Sequence, residues 1–103
     1  MNECIAQRKL MFSLKGSSER NPFVVQIMAP RELKEGDVEF QFTKGTAVCI
    51  VQFEGLPSAK PEQIYGADSL QALQLATNVE PILKRLSKTY DLFFPTGEGY
   101  FEG

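Results

Sequence analysis

The stretch from Tyr65 to Tyr90, YGADSLQALQLATNVEPILKRLSKTY, leaves this chain few folds to choose from. It is the long segment with helical periodicity. Ala72, Leu73, Ala76, Val79, Leu83, Leu86 and Tyr90 trace one apolar stripe, with Glu80 at its edge. Leu70, Leu75 and Ile82 widen that stripe, and Ala72 and Ala76 are small enough to let a helix approach a sheet closely. Asp68 is placed to accept backbone N–H bonds as the N-cap, and Gln71 at the third helical position can reach back. Pro81 interrupts the pattern: it has no backbone donor, and inside a helix it costs roughly 3 kcal/mol. Either the helix kinks there, or a second helix starts with Pro81 in its first turn and Asn78 as part of a new cap. The stripe resumes in phase, so one bent helix is the expectation.

Most of the chain before this stretch reads as strands. Residues 4–14 alternate, with Leu10, Phe12 and Leu14 on the apolar parity and Arg8 interrupting it near an edge. Residues 23–29 place Phe23, Val25 and Ile27 inward, and Pro30 ends the strand. The short connection through GSSERNP predicts antiparallel pairing with the first strand. RELKEGD, from Arg31, reads as a solvated loop. Val38, Phe40 and Phe42 then form either a short strand or an excursion whose aromatics fold back onto the sheet. Residues 46–54 are the strongest strand. Ala47, Cys49, Val51 and Phe53 lie on one side, and Val48 and Ile50 on the other. Apolar residues on both sides predict a central strand, or one whose second face meets a partner. Pro57 and Pro61 predict an irregular connection anchored by Leu56 and Ile64. After Tyr90, DLFFP is a short strand or an extended tail. Tyr100 and Phe101 either tuck into the core or contact a second copy.

These elements predict one α+β domain over residues 1–103. Its antiparallel sheet has three to five strands and packs against one long, kinked C-terminal helix. With 103 residues, 43% of them apolar and eight of them Phe, the core forms without metal or disulfide staples.

Composition narrows function by exclusion. Thirteen acidic against eleven basic residues give a net charge of -2, so the basic field of a nucleic-acid binder is missing. Lys84, Arg85 and Lys88 suit a helix C-terminus. There is no histidine. That removes Cys–His and Ser–His catalysis within the chain and the commonest zinc ligand. Glu32, Glu35, Asp37 and Glu39 cluster in a charged loop and read as solvated surface. Gly97 and Gly99 lack the strand–turn–helix setting of a phosphate loop. No metal or cofactor is expected, and the chain is read as a non-enzyme. Cys4 and Cys49 lie in apolar runs and read as buried free thiols, with a cross-strand disulfide as the alternative. No signal peptide and no run of membrane-spanning length are evident, so the cytoplasm is the expected compartment and no membrane partner is expected.

Gly66-Ala67-Asp68-Ser69-Leu70-Gln71-Ala72-Leu73 resembles the helix-opening motif of a family of small bacterial domains of unknown function. Ala47 to Val51 with its cysteine, Ile64 to Gly66, and Pro30 fit the same pattern. The tryptophan of that family is absent here. The resemblance implies a compact sheet crossed by a helix, and no established activity.

Two functions stand open. One is a protein-binding or homodimeric domain with Val48, Ile50, Tyr100 and Phe101 at the interface. The other is a small-molecule site between the helix start and the central strand, formed by Cys49, Tyr65 and Asp68.

Overall fold

The structure is a computed structural model that describes residues 3–101. Its elements run β1 (Cys4–Leu14), β2 (Asn21–Met28), β3 (Arg31–Glu32), β4 (Ala47–Glu54), β5 (Glu62–Gly66), α1 (Ser69–Thr77), α2 (Glu80–Leu86) and β6 (Tyr90–Phe93). The class is α+β, but both finer expectations need correction: among the described residues the sheet has six strands, and two separate helices replace the single kinked one.

Every strand pairing is antiparallel. β4 is central. β5 runs along one edge of it, from Ala47↔Gly66 to Val51↔Glu62. β2 and then β3 occupy the other edge, with Ile27↔Val51 and Arg31↔Val48. β1 lies outside β2, and β6 pairs with the second half of β1 from Met11↔Phe93 to Leu14↔Tyr90. The two strands absent from the sequence reading have physical reasons to be hidden. Both β3 residues are exposed, so they carry no apolar alternation. β5 follows directly on Pro61 and has only Ile64 and Tyr65 as sizeable apolar residues. Its pairing is imposed by the neighbouring β4.

The helix breaks at Asn78, which has φ -81° and ψ 76°. A continuous helix would press the Pro81 ring against the carbonyl of Thr77. Instead the Val79 N–H donates to Thr77 O at 2.9 Å, and the Leu83 N–H donates to Val79 O as a new helix begins. Pro81 sits in its first turn, where a missing N–H costs nothing. The apolar stripe survives the break, because Ala72 and Ala76 of α1 and Ile82 and Leu83 of α2 enter one core.

That core fills the space between the helices and one face of the sheet. Leu10 and Phe12 of β1, Phe23, Val25 and Ile27 of β2, and the odd-numbered residues of β4 from Ala47 to Phe53 point into it. Ala72 and Ala76 are both wholly buried. α1 rests so closely on β5 that a Cβ added to Gly66 would lie 2.8 Å from the Ala72 Cα and closer still to its amide nitrogen. No helix among the described residues is long and apolar enough to cross a membrane.

Candidate functional site

The three residues predicted to hold a small molecule do not converge. Cys49 points into the core with no exposed surface, and its Sγ donates to the Met28 carbonyl at 3.1 Å. Burial pushes its thiol pKa up. Asp68 is the N-cap of α1: its Oδ1 accepts the Gln71 N–H at 2.8 Å, while Gln71 Oε1 accepts the Ala67 N–H at 2.5 Å. Gln71 thus reaches back one residue beyond the cap. Tyr65 projects from the opposite face of the sheet to Cys49, donates to Gln63 Oε1 at 2.7 Å, and meets Phe40 edge-on with centroids 5.3 Å apart. Among the described residues, five surface cavities are lined by none of the three. Between the helix start and the central strand, Ala47, Cys49 and Ala72 are wholly buried members of the core.

Both cysteines are free, and Cys4 is exposed rather than buried, because only the second half of β1 lies under the core. A thiol reagent at neutral pH is expected to add once to the native protein, at Cys4, and twice in denaturant. Intact-mass spectrometry reads this directly. Rapid native modification of Cys49 would contradict its burial.

Among the described residues no group of three or more His, Cys, Asp or Glu could hold a metal ion. The acidic cluster instead organises its own loop. Asp37 Oδ2 accepts the Lys34 N–H at 2.7 Å and pairs with Arg31 at 3.0 Å. The backbone bond, then the arginine, hold its carboxyl below the usual range.

Interface candidates divide differently. Val48 is only 3% exposed, beside the Tyr65–Phe40 contact made by the excursion of residues 33–46. That excursion carries Phe40 back onto the sheet, in line with one of the two readings open for it. Ile50 is half-buried on the same face. Tyr100 and Phe101 are half-buried against the chain's own core. The Tyr100 hydroxyl lies 2.6 Å from both Arg8 Nη1 and Glu80 Oε2, and Lys84 Nζ sits 4.8 Å over the Phe101 ring. Burial first, then the bond to Glu80, raises the Tyr100 phenol pKa.

What remains open is the sheet face away from the helices. Two cross-strand rows define it. Gln7, Gln26 and Gln52 lie side by side on β1, β2 and β4. Lys9, Val24 and Glu54 form the next row. Gln26 Nε2 donates to Glu54 Oε2 at 3.1 Å and holds that carboxylate over the sheet. Ile50 and Met11 flank the rows, both half-buried.

No family model, curated protein or solved structure matches this chain. Roles for these residues therefore come from their geometry. Sequence parity marks Gln26, Gln52 and Ile50 as non-core, but alignment into rows depends on strand register, which the sequence does not display.

Proposed function

We propose that this chain is a non-enzymatic protein-binding domain that engages its partner across the open sheet face around Val24, Gln26, Ile50 and Gln52. The observation that carries this reading is the one-sided helix layer: α1 and α2 share a single core on one face of the sheet. A two-layer domain leaves the other face for solvent or for a partner. Here that face mixes half-buried aliphatic side chains with amides and with charges of both signs, Lys9 and Glu54 beside Val24 and Asp91 and Arg31 farther out. Such a mixture suits a non-obligate interface, which is about as apolar as ordinary surface.

Strand edges are poorer candidates. Between Cys4 and Leu10, no described strand pairs with the outer edge of β1. That edge carries a register irregularity between Cys4 and Ala6, together with Arg8 and Lys9. Bulges and charges of this kind discourage edge-to-edge pairing. β5 is short and begins next to Pro61.

A photo-crosslinking residue at Gln52, introduced in cells that produce the protein, is expected to trap a partner polypeptide identifiable by mass spectrometry. The same residue at exposed Lys88, beyond α2, serves as the control. Ile50→Lys should abolish the Gln52 adduct. Equal labelling from both positions, or none from Gln52, would sink the proposal.

A further inference from the structure

We infer that the partner on this face is a second copy of the chain, packed sheet to sheet about a two-fold axis that runs along β2. The inference rests on the open-face reading and adds the identity and orientation of the occupant. Lys9 and Glu54 lie on the strands flanking β2, in register with the same residue, Val24. Both are exposed, and both belong to the face opposite the core residues Val25 and Phe53. In the row through Val24 the face thus carries a positive charge on one side of β2 and a negative charge on the other, while Asp91 and Arg31 farther out are each paired within the chain, to Lys15 and Asp37.

Symmetry then selects an orientation. A two-fold axis parallel to β2 exchanges its flanking strands, so Lys9 of each copy faces Glu54 of the other. A two-fold axis across the strands would instead set Lys9 over Lys9 and Glu54 over Glu54. Like charges in contact disfavour that arrangement. In the favoured orientation Val24 meets Val24 near the axis, and the amide of Gln26 faces its own counterpart. Gln52 of each copy faces Gln7 of the other, so every amide has a donor and acceptor opposite it. Aligned sheets pack roughly 10 Å apart, a gap that lysine and glutamate side chains can span together. The Gln26–Glu54 hydrogen bond holds the acidic half of each pair in place before association. The interface is isologous and closes at two copies.

Solution mass by sedimentation equilibrium, from low micromolar to millimolar protein, is expected to show a monomer–dimer equilibrium. Lys9→Glu sets two like-charge pairs in the interface and should weaken the dimer by about tenfold or more. Glu54→Lys alone should do the same. The double variant Lys9→Glu/Glu54→Lys restores both pairs and should recover the dimer. Circular dichroism and thermal unfolding accompany each variant, since both positions are exposed and the fold should persist. A monomer at every concentration overturns the inference, as does a dimer indifferent to Lys9→Glu or one the double variant fails to restore. A monomer in solution whose Gln52 crosslinks to a different protein would overturn the second copy while leaving the protein-binding reading in place. If Gln52 traps nothing, that reading itself fails.

Discussion

Gly66→Ala is expected to destabilise the protein by about 3 kcal/mol, the upper end for an overpacked site. The cause is backbone against backbone. The added methyl would come within 2.8 Å of the Ala72 Cα, and neither atom belongs to a side chain that can rotate away. Relief requires α1 to lift from β5, which would pull Ala72 and Ala76 out of a core where both are wholly buried. At roughly 4–8 °C per kcal/mol for a domain of this size, the melting temperature should fall steeply. Gly99→Ala is the matched control: its nearest neighbour to an added Cβ is the Phe101 carbonyl oxygen at 3.7 Å, an ordinary contact. It should change stability by less than about 0.5 kcal/mol. Equal melting temperatures for the two variants would mean that α1 does not rest on Gly66.

Phe23→Ala should cost about 3–5 kcal/mol, the range for deleting a buried aromatic ring. Phe23 is 1% exposed, in the middle of the face that the helices cover. Its ring meets Phe12 edge-on with centroids 5.8 Å apart, and Phe12 in turn meets Tyr90 at 5.3 Å. Removing Phe23 leaves a cavity and strips Phe12 of one edge-to-face partner, so the packing between β1 and β2 is weakened. Against a typical net stability of about 5–15 kcal/mol, such a loss brings unfolding close to ordinary temperatures. Phe40→Ala is the contrast. Phe40 is 50% exposed and makes one edge-on contact with Tyr65, worth roughly 1 kcal/mol. Denaturant midpoints for the two variants should separate widely. If Phe40→Ala proved the more damaging, the core would lie on the wrong face of the sheet.

How legible the fold was depended on whether a residue's environment could be read from its immediate neighbours. The β4 alternation, the Asp68 cap and the small residues Ala72 and Ala76 were all legible, because each follows from local period or local hydrogen bonding. Arg31 and Glu32 were not: an exposed pair of charged residues forms a strand only because β4 presents an edge to it. At Pro81 the continuity of the apolar stripe pointed to one helix. Yet two helices keep the same stripe when the break at Asn78 is short and both pieces pack on one sheet.

The proposed site divides along the same line. Sequence alone determined that this chain lacks a histidine-based active site, that β4 is apolar on both sides, and that Asp68 opens a helix. Tertiary structure decided which apolar residues are spent within the chain: Val48 beside the excursion that carries Phe40, and Tyr100 and Phe101 against the core. It also decided that Cys49 and Tyr65, close in the sheet, face opposite ways, and that Lys9, Val24 and Glu54 share one row. The physical reason is register. A strand's period of two tells which residues share a face, but only pairing between distant segments determines which of them stand side by side.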